Sequence, residues 1–123
     1  MAAFNWIEVL VRCPVCGRVE SVRCQTHVAS DYDGDETGRF HDRTYSLGQK
    51  MAWWARTSAR FRQWRVDGKV DGPNEAEWDE EACHATCTGC GAELYVVIRF
   101  HENLPEKVIA IGPATAWPSG YSK

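Results

Sequence analysis

Two short cysteine motifs, far apart on the chain, constrain this protein more than any other sequence feature. The first is CPVCG over residues 13–17 and the second is CTGCG over residues 87–91. In each motif, called a knuckle below, two intervening residues let both sulfurs reach one metal ion of tetrahedral preference. The following glycine permits a tight turn that aims backbone N–H groups at the thiolates. The pattern predicts a single four-thiolate metal site, with zinc as its natural occupant and with these ligands: Cys13, Cys16, Cys87 and Cys90.

The cellular compartment decides how the six cysteines are interpreted. Residues 1–6 hold neither a basic segment nor a sustained apolar segment, so we predict no export signal and expect a cytoplasmic protein. Thiols stay reduced there, which makes disulfides the weaker interpretation of the knuckles. A redox pair is also the weaker interpretation, because a thioredoxin-like pair should open a helix, whereas Cys16 is followed by Gly17 and a strand-like stretch. Cys24 is expected to be a buried free thiol. An alternative ligand set, in which Cys83 or His84 replaces one knuckle cysteine, stays open, because both residues precede Cys87 at a spacing that zinc sites tolerate.

Length and charge limit the class of protein. A chain of 123 residues is expected to form one domain with one modest core. We assign residues 1–113 to that domain, with an insert over about residues 29–82, and residues 114–123 to a C-terminal tail. No apolar run is long enough to span a membrane. The formal net charge of −3 disfavours general coating of DNA.

Alternating β-branched and aromatic residues on both sides of the knuckles predict strands. Residues 4–12 lead into the first knuckle and residues 19–28 leave it. Residues 92–101 leave the second knuckle with the strongest strand pattern in the chain, and residues 107–111 follow after a turn. The predicted fold class is therefore β-rich, a small α+β protein in which two hairpins are clamped at one metal site and a large insert separates the knuckles.

The insert is too long to be a featureless loop inside a compact domain, so it should carry structure of its own. Residues 41–47 have strand character, and residues 66–70 predict a tight hairpin turn at an Asp-Gly pair. Residues 73–81 are acidic and contain alanine, which favours a short helix. Residues 50–65 are ambiguous: the apolar spacing favours a helix, and an extended strand through residues 51–54 is the alternative.

The knuckles and the strands that leave them resemble the zinc-ribbon superfamily, and within it small bacterial proteins of obscure function with a long insert between two CxxCG knuckles. The segment from Tyr45 through Gly48 to Trp53 is similar to an element of those proteins, although Gln49 stands where they have an acidic residue. The resemblance covers residues 7–112. It implies an immunity-type or accessory role, with a protein partner such as a toxin.

Two segments of the insert are candidates for contact with a partner. The first is an acidic loop that could meet a basic protein: Asp31, Asp33, Asp35 and Glu36. Its spacing does not fit a calcium loop, since a glycine is required at the sixth position and a glutamate at the twelfth. The second segment is basic and aromatic-rich, and such residues can stack on bases and neutralise phosphates: Trp53, Arg56, Arg60, Arg62 and Arg65. Core tryptophans beside solvated arginines are the alternative explanation of that segment.

The sequence lacks a nucleophile elbow, a phosphate loop and a metalloprotease motif. Four thiolates also fill a tetrahedral coordination shell and leave no position for water or substrate. We therefore expect a non-enzymatic zinc-binding protein that acts as a protein–protein interaction module. The alternative is a nucleic-acid-binding zinc ribbon that uses residues 53–65.

Overall fold

The computed structural model describes residues 4–28, 43–53, 57–59, 61–63, 79–101 and 103–121. These residues form one six-stranded sheet with the strand order β3-β1-β2-β4-β5-β6. The strands are β1 (Asn5–Arg12), β2 (Val19–Thr26), β3 (Thr44–Ser46), β4 (Asp79–Thr86), β5 (Glu93–His101) and β6 (Leu104–Pro113), and a short 3-10 helix (Ala114–Ala116) follows. The predicted β-rich fold class is confirmed.

Each knuckle joins the two strands of an antiparallel hairpin. The first knuckle connects β1 to β2, and the second connects β4 to β5. The two hairpins meet through β2 and β4, whose antiparallel register consists of one residue pair, Gln25 opposite His84. Both hairpins therefore lie side by side in one sheet with their knuckles at the same end.

Strand β4 corrects the sequence prediction of a short helix over residues 73–81. Residues 73–78 lie outside the described part of the chain, and residues 79–81 begin β4, so the helix prediction is wrong there. The acidic, alanine-bearing composition of this stretch has little intrinsic strand preference. Pairing along the whole of β5, with Cys83 opposite Val96, outweighs that local preference because strand formation depends strongly on the neighbouring strand.

Alternate residues of the hairpin strands build the core on one face of the sheet. The period of two along each strand places these side chains on the same face, away from water. The core holds Ile7, Val9, Val22, Cys24, Cys83, Ala85, Leu94, Val96, Ile98 and Phe100. Cys13 and Cys87 belong to the same buried cluster, so the core extends directly to the knuckles.

The chain after β3 connects opposite edges of the sheet. Strand β3 pairs with β1 in parallel at one edge, and β6 forms the other edge. Nevertheless, the Gly48 N–H donates to the Pro105 carbonyl at 2.7 Å, and the Met51 N–H donates to the Asn103 carbonyl at 3.0 Å. Asn103 returns a bond from Nδ2 to the Met51 carbonyl at 2.8 Å. These bonds are possible because the sheet curls, and they bring part of the insert to the β5–β6 turn.

Residues 50–65 prove to be mixed where they are described. Residues 50–53 form neither helix nor strand, whereas residues 59 and 61–63 are helical. Ser58 caps this turn, since its hydroxyl accepts a hydrogen bond from the Phe61 N–H at 3.1 Å. Of the helix predicted over residues 50–65, the described residues show a single turn, and the alternative strand is absent from residues 51–53.

The stretch from residue 114, assigned above to a tail, lies across the outer face of β4 and β5 as far as residue 121. The Trp117 ring packs on the His84 ring, with centroids 4.4 Å apart. The Tyr121 hydroxyl donates to Glu80 Oε1 at 2.7 Å. Gly112 gives the Tyr95 ring room on this face, because a Cβ at residue 112 would lie 2.5 Å from that ring.

Several sequence predictions lie outside the described residues. They concern the acidic loop at 31–36, the hairpin turn at 66–70, and three arginines of the basic segment: Arg56, Arg60 and Arg65. Within the part of the chain that is described, no helix has the length and apolar character needed to cross a membrane.

Candidate metal centre

The first knuckle is a tight turn held by its own backbone. The Cys13 N–H donates to the Arg18 carbonyl at 2.8 Å, and the Gly17 N–H donates back to the Cys13 carbonyl at 2.9 Å. Gly17 has a φ of 76°, in the left-handed region that glycine reaches without steric cost. Its position after the second cysteine is therefore a requirement of the turn.

The second knuckle repeats this geometry. The Cys87 N–H donates to the Ala92 carbonyl at 2.9 Å, and the Gly91 N–H donates to the Cys87 carbonyl at 2.8 Å. Gly91 has a φ of 75°. The same local sequence pattern thus gives the same backbone turn twice, once in each hairpin.

The two turns bring their four sulfur atoms together. The Sγ atoms of Cys13 and Cys90 lie 3.8 Å apart, and those of Cys16 and Cys87 also lie 3.8 Å apart. All four Sγ atoms lie within 4.8 Å of one another. Four sulfurs arranged tetrahedrally at about 2.3 Å from one zinc ion would be about 3.8 Å apart. The four cysteines are therefore positioned to bind a metal ion.

Backbone N–H groups stabilise negative charge on Cys13. The Cys16 N–H lies 3.4 Å and the Val15 N–H 3.3 Å from Cys13 Sγ. The Cys16 N–H makes the largest contribution to a lowered Cys13 pKa of about 6, and the neighbouring thiols contribute in the same direction. These N–H groups therefore favour the thiolate form of Cys13.

Cys90 shows the opposite shift. The Ala92 N–H lowers its pKa, but desolvation and the neighbouring sulfurs of Cys87, Cys16 and Cys13 outweigh that effect and raise the pKa to about 12. The crowded sulfurs therefore resist carrying four negative charges by themselves. A divalent cation at their centre would remove this repulsion, since thiols that coordinate a metal ion lose their protons.

The four cysteines of the cluster differ in their exposure to solvent. Cys13 and Cys87 are buried, Cys16 is half-buried and Cys90 is exposed. Cys13 and Cys87 belong to the hydrophobic core cluster. The four cysteines therefore lie between the core and the surface at the end of the sheet.

The remaining two cysteines lie in the core. Burial raises the pKa of the Cys24 thiol to about 12, which matches the expected buried free thiol. Burial, followed by the charge of Glu81, also raises the pKa of Cys83. Cys83 Sγ donates to Glu81 Oε1 at 3.3 Å, and His84 stacks on Trp117. Neither Cys83 nor His84 belongs to the four-sulfur cluster.

The basic segment is only partly described. Trp53 is half-buried and packs against the hydrophobic core, whereas Arg62 is exposed. Trp53 therefore agrees with the alternative in which a tryptophan of this segment is a core residue. The arginine interpretation stays a prediction.

A carboxylate that the sequence pattern did not indicate joins the two hairpins. Glu81 of β4 accepts hydrogen bonds from the Thr26 hydroxyl and from the His27 N–H at the end of β2, the latter at 3.1 Å. This role was hidden by the helix prediction for residues 73–81. The alternation of small apolar and polar residues over 83–86 is the signal that could have revealed the strand.

Comparisons of the chain with protein-family models, curated protein sequences and solved structures find no match. The class of protein to which the chain belongs is therefore described from its own geometry. It is a small strand-rich protein with four cysteines from two knuckles positioned to bind a metal ion.

Proposed function

We propose that the protein is a zinc ribbon that acts as a non-enzymatic protein–protein interaction module of the immunity or accessory type. The observation that carries this proposal is the closed set of four sulfurs within 4.8 Å. Zinc suits four thiolates in tetrahedral geometry, and a complete shell gives the ion a structural role because no coordination position remains for substrate. A reducing compartment such as the cytoplasm would keep these thiols available for the metal.

The surface beside the first knuckle supports a protein partner. Leu10, Val15 and Val19 are exposed by 73%, 58% and 51%. The β1–β2 register places Leu10 and Val19 on the same face of the hairpin, and Val15 lies in the knuckle itself. Apolar side chains that cluster on a surface mark protein interaction sites more often than isolated ones do. We define these three residues as the knuckle patch.

A rigid turn carries this patch. The bonds between Cys13, Gly17 and Arg18 hold the knuckle backbone, and a bound metal ion would hold the sulfurs beneath it. A preformed surface loses little conformational entropy on binding, so a small apolar patch can contribute usefully to affinity. In the proposed function, zinc stabilises the surface and takes no part in chemistry.

Quantitative affinity purification from the native host tests the proposal. The wild-type chain should recover one protein at a 1:1 ratio, and a double variant, Leu10→Glu with Val19→Glu, should lose at least about 90% of it. The matched control is Ile109→Glu, because Ile109 is an exposed apolar residue of β6 outside the knuckle patch.

The control should recover the same protein in the wild-type amount. Recovery of nucleic acid alone would contradict the proposal and favour the alternative nucleic-acid-binding ribbon. Equal recovery of the protein by the double variant and the wild type would exclude the knuckle patch as the contact surface.

A further inference from the structure

A groove opens on the outer face of the sheet where the two hairpins separate. Strands β2 and β4 pair at Gln25 and His84. Nearer the end of the sheet, the Thr88 hydroxyl of the second knuckle contacts β2, at 3.3 Å from Glu20 Oε2 and 3.4 Å from the Ser21 carbonyl. The groove beside these links has a volume of about 480 Å³. This volume lies within the range of small-ligand sites.

The groove, called the outer slot below, combines aromatic rings with polar side chains. It is lined chiefly by Trp6, Arg23, Gln25, His84, Thr86 and Glu93. Trp6 lies opposite Gln25, and Gln25 lies opposite His84, so one cross-strand row places an aromatic ring on each side of a primary amide. Neighbouring side chains in such a row are close enough to contact one ligand together.

Both rings are held in place by neighbours. The Phe4 ring meets Trp6 edge-on at a centroid distance of 5.0 Å, and the Arg23 guanidinium lies 4.5 Å from the Trp6 centroid. Arg23 is itself oriented by a hydrogen bond that its Nη2 atom donates to Thr44 Oγ1 at 3.0 Å. His84 is backed by Trp117 at 4.4 Å. Side chains ordered in this way lose little further freedom on binding. A flat ligand would stack on the ring faces that Arg23 and Trp117 do not cover.

The polar groups of the outer slot favour a neutral ligand with both donors and acceptors. Arg23 is positively charged and attracts a simple anion, whereas Glu93 is negatively charged and repels it. The two charges therefore offset each other. The Gln25 amide both donates and accepts, and the Thr86 hydroxyl does the same. Glutamine and glutamate side chains can recognise the hydrogen-bonding edges of bases, while aromatic rings stack on their faces.

We propose that the outer slot binds a nucleobase, stacked on Trp6 or His84 and hydrogen-bonded at its edge by Gln25. The base can belong to a free nucleoside or to a single-stranded nucleic acid, since both present the same face and edge. The named lining residues belong neither to the four-sulfur cluster nor to the basic segment of the sequence at residues 53–65. The proposal does not depend on the function proposed for the knuckle patch.

NMR titration of the full chain tests the outer slot. The probes are adenosine, guanosine, cytidine and uridine, and in separate titrations the hexaribonucleotides of A, C and U. At least one probe should shift the amide resonances of Gln25 and His84. Saturation by a nucleoside would identify the free-ligand source, and saturation by an oligonucleotide alone would identify the single-strand source; either result supports the proposal.

Substitutions localise the binding. Gln25→Ala and His84→Ala should each weaken the affinity at least about fivefold. Gln63→Ala is the matched glutamine control, and Arg62→Ala tests the basic segment; Gln63 and Arg62 are exposed residues outside the outer slot. Both should change the affinity by less than about twofold. Thermal unfolding of each variant checks that it remains folded.

Three results would overturn the proposal. The first is the absence of any shift at millimolar concentrations of all probes. The second is binding that Arg62→Ala removes and His84→Ala leaves intact. The third is saturation of the outer slot by an acidic hexapeptide while every nucleoside and oligonucleotide fails to bind.

Discussion

Cys13 and Cys90 are 77 positions apart in the sequence, and their Sγ atoms lie 3.8 Å apart in the structure. This contact joins the β1–β2 hairpin to the β4–β5 hairpin at the knuckle end. The adjacent strands of the two hairpins, β2 and β4, are paired at one position only, Gln25 with His84. A metal ion among the sulfurs would therefore cross-link two hairpins that the backbone ladder joins only briefly.

Replacement of Cys90 by serine should remove the metal and much of the stability. Cys90 is exposed, so the change does not disturb core packing. Metal binding contributes on the order of 10 kcal/mol in small zinc peptides, which is comparable with the whole stability of a domain. We expect Cys90→Ser to hold little zinc and to unfold at a much lower urea concentration, measured by metal analysis and circular dichroism.

The matched control for that experiment is Cys24→Ala. Cys24 is a core thiol outside the four-sulfur cluster, so this variant should keep full zinc content. It should lose about 1–2 kcal/mol of unfolding free energy through poorer packing. If Cys90→Ser retained both zinc and wild-type stability, the four-thiolate site would be wrong.

Substitution of Gly17 should reveal the cost of the knuckle turn. Gly17 has a φ of 76°, and a Cβ added there would meet no neighbouring atom within 4 Å, so the cost comes from the backbone alone. Gly17→Ala should destabilise the metal-loaded protein by about 1–2 kcal/mol in urea denaturation. Gly17→Asn should cost less, because asparagine tolerates the left-handed conformation better. Equal stability of the alanine variant and the wild type would show that the knuckle does not require this conformation.

The contact between Tyr121 and Glu80 predicts a pH-dependent contribution to stability. The Tyr121 hydroxyl lowers the pKa of Glu80, and Arg99, whose Nη2 atom is 3.3 Å from Glu80 Oε2, acts in the same direction. A lowered carboxyl pKa means that the folded state favours the charged form. The contribution of the Glu80 carboxylate to the free energy of unfolding is therefore present above the unfolded-state pKa of about 4.3. It is lost as the pH falls through the lower pKa of the folded state.

Urea denaturation of the wild type and Glu80→Gln at several pH values measures this effect. The wild type should have a larger free energy of unfolding than Glu80→Gln near neutral pH. The difference between the two proteins should shrink as the pH falls below about 4. Because acid protonates the cysteines in both proteins, the difference between them isolates Glu80. Tyr121→Phe should reduce the same difference. A gap between wild type and Glu80→Gln that grows with acid would contradict the assigned direction.

Local sequence patterns predicted the parts of the fold that depend on local preferences. Strands β1, β2 and β5 carry alternating apolar residues, and both knuckles carry their own turn-forming glycine. The first half of strand β4 could not be predicted in this way, since residues 79–82 are acidic or small and their conformation depends on pairing with β5. The bond from Gly48 to Pro105 depends on the curl of the whole sheet, which no local pattern encodes.

The same distinction applies to the sites. The four-cysteine cluster follows from two local spacings that each place a pair of sulfurs on one side of a turn. The Glu81 contacts and the outer slot arise where β2 meets β4, and they require the register of Gln25 against His84. A sequence pattern can indicate each strand separately, but it does not give the order in which the strands pair.

X-ray absorption at the zinc edge, on protein purified without chelator or added metal, tests the central claim most directly. We predict one zinc ion per chain with a shell of four sulfur atoms at about 2.3 Å. A chain that contains no metal and stays folded in strong chelator would contradict the account, as would a zinc shell that contains nitrogen or oxygen in place of one of the four sulfurs.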